Sequence, residues 1–224
     1  MHVYGNVVHL AVYRFPGLAV NCKMFSKVVP DFTGSKNNCS CISMGQFANE
    51  QSLKDNLLAG ERAMIYLKAA TCEYIFTDKA LIVIKESSEN KSRHAHRHYY
   101  RDHHFANVRY CTAGGGIGDI DVELQFTFGS EAMSIDVAKA QIETVQLYAR
   151  VLNAVAYRQQ TNRAMYELAK QTMTSMSDYR LYGQVDAKTV SDMIDVVQNK
   201  SEMLYNKYCP ESYLDVFMSY LGNM

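Results

Sequence analysis

The strongest constraint in this chain is an alternation over residues 120–128. Ile120, Val122, Leu124, Phe126 and Phe128 take every second place, with Asp121, Glu123, Gln125 and Thr127 between them. Successive side chains of an extended chain point to opposite faces, so this segment is a strand with one face in a core and one in water. Shorter apolar, β-branched and aromatic runs lie around it, at 63–69, Cys72–Thr77, 80–85, 94–100, 108–112 and 132–135. They are separated by turn chemistry: Asp78-Lys79, the polar loop 86–92, the glycine run 114–118, and Gly129-Ser130. Seven short strands with regular turns inside about 75 residues predict an antiparallel barrel or sandwich.

Helical patterns flank this block. Residues 52–58 place Leu53, Leu57 and Leu58 on one face, with Gly60 as the stop. After the last strand, Asp136 is suited to cap a helix whose Ala138, Ile142, Val145, Ala149, Leu152 and Ala156 build one apolar stripe able to cover the open mouth of the barrel. Beyond residue 157 the pattern is helical only. Met165, Leu168, Thr172 and Met176 share one face; Gly183 interrupts; Asp186 caps a second helix carrying Val190, Ile194, Val197, Leu204 and Tyr208; and Pro210 opens a last short helix. Two narrow apolar seams leave surface over for self-association, or pack wholly on their own barrel.

Length and charge bound the rest. At 224 residues, 48% hydrophobic and 21% charged, the chain suits one folded domain with an appendage. Lys+Arg and Asp+Glu are both 23. That balance removes the broad positive field of a dedicated nucleic-acid binder. The expected division is a poorly ordered extension 1–43, a core domain 44–157 and a helical hairpin 158–224. Residues 1–43 hold one acid, Asp31, against Arg14, Lys23, Lys27 and Lys36. They read as an ill-ordered end or as sequence upstream of a start at Met44, rather than a transit peptide. The six cysteines are spread along a long chain, and Cys39-Ser40-Cys41 has the wrong spacing for a zinc knuckle. Reduced thiols in a cytoplasmic protein are expected.

Three segments carry a resemblance. The stretch Tyr74-Ile75-Phe76-Thr77-Asp78-Lys79-Ala80-Leu81-Ile82 resembles the FT-x-K-R-L-I strand–turn–strand signature of the bacterial pleckstrin-homology-like family. Ala113-Gly114 with Asp119-Ile120-Asp121-Val122-Glu123-Leu124 is similar to its AG-x-x-D-x-D-x-E-L segment, and Gly60-Glu61 to the GE before its first strand. Ala80 departs from the usual arginine, and Gly115 and Gly116 are extra. The resemblance covers roughly residues 50–155, and the tail is similar in layout to the hairpin of YvbH-like members, described as an oligomerisation region. It implies a mainly β plus α fold: a PH-like seven-stranded antiparallel barrel, capped by a helix and followed by a helical hairpin. It also implies a homo-oligomer without enzymatic activity, and it brings no cofactor.

Three residue sets are candidates for binding. Met165, Leu168, Met176, Ile194, Val197 and Leu204 form the candidate oligomer interface. Lys85, Lys91, Arg93, Arg97 and Arg101 lie around one strand–loop–strand hairpin, where charge-assisted bonds to phosphate would suit an anionic membrane surface; Glu86 and Glu89 dilute that field. His94, His96 and His98 share one face at period two, a nitrogen surface for a transition metal. The alternative is a solvated edge strand, with Arg93, Arg97 and Arg101 interleaved to repel a cation. The glycine run lacks the Gly-Lys-Ser/Thr ending of a phosphate loop, and no nucleophile elbow or Cys–His pairing stands out, so no catalytic residue is expected.

Overall fold

The computed structural model describes residues 38–87, 89–112, 121–177 and 186–222, the side chains of 175–177 excepted. The extension up to residue 37, the glycine run Gly114–Gly118 and the helix break around Gly183 lie outside the described residues. The elements run β1 (Ser40–Cys41), a 3-10 turn (Met44–Asn49), α1 (Gln51–Asn56), β2 (Ala63–Lys68), β3 (Cys72–Thr77), β4 (Ala80–Glu86) and β5 (Arg93–Tyr99). Next come β6 (Phe105–Thr112), β7 (Asp121–Phe128), β8 (Glu131–Ala138), a 3-10 turn (Lys139–Gln141), α2 (Ile142–Ser177), α3 (Ala187–Tyr208) and α4 (Leu214–Leu221).

Two antiparallel sheets form, in the orders β1-β2-β3-β4-β5 and β6-β7-β8. The expected seven strands in a closed barrel are therefore corrected to eight strands, in sheets that do not close on each other. Among the described residues one bridge joins the sheets, Cys39 to Val137, with the Cys39 amide bonded to Asp136 O at 2.7 Å. The eighth strand, β1, lies upstream of Met44, where the domain was expected to start. Two residues are too few to show any period.

The core lies between the sheets. Leu67, Phe76, Leu81 and Val83 from one meet Val122, Leu124, Phe126 and Ile135 from the other, and α2 adds Val145, Ala149 and Leu152. The alternation of β7 is fully expressed: Val122, Leu124, Phe126 and Phe128 are buried and the residues between them are half-buried. Strands β2 to β4 do not alternate, because their second face is buried too. Tyr66, Ile75, Ile82 and Ile84 form a smaller core under Leu53 of α1, with Phe47 and Leu57 beside it. Of the leucines expected on the covered face of α1, Leu53 is buried whereas Leu58 is exposed. Gly60 ends this segment at φ +75°, a conformation glycine adopts without a Cβ penalty.

Two further corrections concern the helices. Asp136 is not a helix cap: it pairs with Glu123 inside β8, which continues to Ala138. Nor does a separate capping helix end near residue 157; α2 runs unbroken through it. Asp186 does cap α3, accepting from the Thr189 amide at 2.8 Å.

Buried carboxylates fasten the outer layer. Glu61 accepts two bonds from Arg97, at 2.6 and 2.9 Å, one from Thr77 Oγ1 at 2.6 Å and one from the Leu58 amide at 2.9 Å. Arg97 also donates to Asn56 O and so clamps the end of α1. Glu73 accepts from Tyr66 Oη and from Arg93, both at 2.7 Å. Burial alone would raise both carboxyls, but these donors, led at Glu73 by the Ser52 side chain, outweigh it and hold them below the ordinary value of 4.5. Their contribution to stability is present above that value and is lost as pH falls through the lower folded-state value. Removing the cation leaves a buried charge without compensation, so Arg97→Ala should lose about 3 kcal/mol in urea denaturation. Adding Glu61→Gln should recover part of that loss.

Candidate interaction surface

The helical tail begins as part of the core. Along α2, Val145, Tyr148, Ala149, Leu152 and Val155 are buried against the sheets. Gln159 ends this contact. It is 1% exposed, accepts from the Phe105 amide at 2.9 Å, and donates to Tyr100 O at 3.0 Å and His103 O at 3.1 Å. Past that residue the helix leaves the sheets, and the next apolar side chains stand open: Leu168 is 57% exposed.

No residue of α3 is buried, although the helix carries Val190, Met193, Ile194, Val196, Val197 and Met203. Val197 is 56% and Met203 63% exposed. Near the base the two helices touch edge to face through Tyr166 and Tyr205, 6.2 Å apart. Beyond that contact an open groove of about 670 Å³ separates them, lined by Met165, Leu168, Met173, Val196, Met203 and Leu204. Of the expected interface, Met165, Leu168 and Leu204 meet in this groove. Ile194 and Val197 are exposed on α3 outside its lining. Met176 belongs to α2, but its side chain lies outside the described residues.

The far end of the hairpin returns to the β-sheets through Asp78, in the β3–β4 turn. Asp78 is buried; its carboxylate accepts from the Arg62 amide at 2.8 Å and Ser212 Oγ at 2.6 Å, and its carbonyl accepts from the Tyr213 amide at 2.7 Å. Arg101 adds a bond to Cys209 O at 2.9 Å and lies over the Tyr205 ring. Helix α4 then buries Val216, Phe217 and Leu221, with Phe217 stacked on Tyr100. The sequence pattern places a short helix here but does not reveal that it packs into the core between the sheets. The hairpin is thus anchored at both ends while its apolar seam faces out.

Strand β5 turns its arginines and its histidines to opposite faces, with Lys85 on the histidine side. Lys85, Val83 and Leu81 pair with His94, His96 and His98, on the inner side; Ile84 and Ile82 pair with Ala95 and Arg97, on the outer side. The basic set is therefore not brought together. Arg93 pairs with Glu73 and Arg97 with Glu61 outside, while Arg101 reaches Glu211 at 3.8 Å. Lys91 sits in the β4–β5 turn at φ +55°. Much of the expected phosphate-binding charge is neutralised within the fold.

His96 and His98 join His103, Lys85 and Glu131 around a cavity of about 300 Å³, whereas His94 turns to Ser92 Oγ at 2.7 Å. Rings of His98 and His103 lie 5.2 Å apart, edge to face. Among the described residues no group of three or more His, Cys, Asp or Glu is placed to hold a metal ion. Burial, and then the neighbouring His103, lower the His98 pKa from 6.5. Burial and Arg163 do the same to His104. The stability tied to their neutral forms is present above that value and lost as pH falls below it.

Comparison with known proteins agrees with this architecture. The family model described as "Bacterial PH domain" matches residues 33–156. The uncharacterized protein YvbH of Bacillus subtilis (strain 168) is 29% identical over 153 residues, covering 67% of this chain and 74% of that protein. The crystal structure of a PH-domain-containing protein from Exiguobacterium sibiricum 255-15 superposes with a TM-score of 0.73 at 26% identity, covering 82% of this chain and 98% of the other. No helix among the described residues is long and apolar enough to cross a membrane.

Two outcomes follow from this geometry. Asp78→Ala should cost about 2–3 kcal/mol and raise amide hydrogen exchange in 209–222 before it does so in β7. The melting temperature should fall between about pH 7 and pH 5, and His98→Phe should flatten that part of the profile.

Proposed function

Since this chain belongs to the bacterial PH domain family, we propose that it is a non-catalytic interaction module that assembles with copies of itself through the α2–α3 hairpin. The observation that carries this reading is the apolar groove held open between two helices anchored at both ends. A free seam could be relieved by collapse onto the sheets, but Gln159 and Asp78 fix the roots of the hairpin. What remains is burial against another molecule. Helix α3 is about 33 Å long and neighbouring helices lie about 8–10 Å apart, so one face of the hairpin offers roughly 600 Å². Two such faces bury roughly 1,200 Å², the lower end of stable interfaces.

The Exiguobacterium structure supports a shared layout, since its match extends over 82% of this chain, well beyond the family match at 33–156. The flanking charges suit like-with-like contact: Arg163, Lys170, Lys188, Lys200 and Lys207 mix with Glu167, Asp192, Asp195 and Glu202, so no single sign accumulates. Catalysis has no part in this reading, because the buried carboxylates are occupied in holding layers together. We place the protein in the cytoplasm, where the thiols of Cys39, Cys41, Cys72, Cys111 and Cys209 stay reduced.

Light scattering on the eluting peak of a size-exclusion column tests the assembly. The unmodified chain should elute as a multiple of 25.4 kDa. Leu168→Lys with Val197→Lys should elute as a monomer with an unchanged melting temperature. A monomer at high concentration from the unmodified chain would overturn the reading.

A further inference from the structure

The polar cavity beside β5 lies where the two sheets fail to close. Strand β5 is the last of its sheet, and among the described residues its outer edge pairs with no strand. The β7–β8 turn stands across from it, and the space of about 300 Å³ opens between them. Part of the lining is apolar: Val83 and Phe128 are buried, and Met133 is half-buried. The rest is polar, from Lys85 of β4, His96 and His98 of β5, His103 of the β5–β6 loop and Glu131 of β8.

Ring packing fixes the histidine donors. The His103 ring stacks on Phe128 at 5.6 Å and meets His98 edge to face at 5.2 Å. Gly129, at φ +62°, makes room for it, since a Cβ there would come within 2.9 Å of His103 Cδ2. Nδ1 of His103 is buried and has no hydrogen-bond partner among the described residues. An unpaired acceptor is tolerated in a core more readily than an unpaired N–H, so the neutral ring is assigned its proton on Nε2, where it is a donor. Lys85 brings three more N–H groups and holds no salt bridge among the described residues. Against these donors the lining sets one carboxylate, Glu131.

We propose that this cavity binds a small organic carboxylate, its charged end held by Lys85 and the ring N–H groups of His98 and His103, its apolar body lying on Val83, Phe128 and Met133. Volume, charge and lining each select that class. At roughly 30 Å³ for each non-hydrogen atom there is room for about ten, the size of benzoate or hexanoate. One ammonium group, partly offset by Glu131, matches a single negative charge better than a dianion. The apolar lining favours a hydrocarbon body, which a bare inorganic anion lacks.

Binding is linked to protons. His98 is faced by His96 on its own strand, His103 from the loop and Glu131 from β8, with Lys85 of β4 in the same cavity. Next to His103, His104 has Arg163 and Asp102 beside it. Burial, and then His103, hold the His98 ring below 6.5. A carboxylate beside the ring favours its charged form, so occupancy draws a proton onto it. The gain in affinity is complete below the free-state value and is lost as pH rises through the bound-state value.

Calorimetric titration of the full chain near pH 6, with benzoate, benzyl alcohol and inorganic phosphate as probes, tests the site, and histidine ring NMR locates it. Benzoate should bind with proton uptake, seen as heats that depend on the buffer, and should shift the His98 and His103 rings more than that of His94. Benzyl alcohol should bind at least about tenfold more weakly, and phosphate more weakly than benzoate. Lys85→Met should weaken benzoate about tenfold, and Glu131→Gln should strengthen it by up to about fivefold. Both side chains are exposed, so neither change disturbs the core. Absence of benzoate binding at millimolar concentration, phosphate or benzyl alcohol binding as tightly as benzoate, or benzoate binding that Lys85→Met leaves unchanged would overturn the proposal.

Discussion

A single buried carboxylate ties the start of β2 to the C-terminal helical segment. Asp78 sits in a two-residue turn where a polar side chain is locally favoured, yet almost none of it reaches water. Its bonds run back to the start of β2 at Arg62 and forward to Ser212, far along the chain. A buried carboxylate is tolerated only when its oxygens are occupied, so the turn and the C-terminal segment depend on each other. Thr77 reinforces the turn, its Oγ1 accepting from the amides of Lys79 at 3.0 Å and Ala80 at 2.8 Å. From that junction α4 enters the core beside Tyr100, and the long hairpin is held as a loop between two fixed points instead of a free tail.

What the sequence made legible is the part governed by local period. The alternation of β7 and the Gly129-Ser130 turn specify strands that the fold does contain, although β6 and β8 run longer than the 108–112 and 132–135 expected. Strand β1 was not legible because two residues carry no period; its place depends on Cys39 reaching across to Val137. The layer formed by α1 was legible in principle. Leu81-Ile82-Val83-Ile84 is apolar without alternation, the mark of a strand covered on both faces, and Leu53 was already set apart as a packing residue. Asp136 misled because an acidic residue before an apolar helical stripe resembles a cap, while its strand pairing is a tertiary matter. The closure of α4 on Tyr100 has no local signature.

Of the three binding sets, the hairpin residues were read from helical spacing and half of them meet in the groove: Met165, Leu168 and Leu204. The basic and histidine sets show why composition misleads on a strand. In sequence they interleave and look like one polar patch; in the sheet, period two sends Arg93 and Arg97 to the face opposite His94, His96 and His98. The arginines then meet Glu73 and Glu61, whose burial could not be read from their neighbours in the chain. The histidines meet Glu131 and His103, which arrive from other parts of the fold.

The unbroken course of α2 has a mechanical consequence. One rod, with its first half embedded among the strands and its second half projecting beyond them, cannot pivot at the point where it leaves. Subunits gathered at the projecting portion would hold their β-sheets at a set distance and orientation, like spokes on a hub rather than beads on a string. Whatever surface the sheets present would then be repeated at regular intervals, so that weak contacts with an extended target could act together.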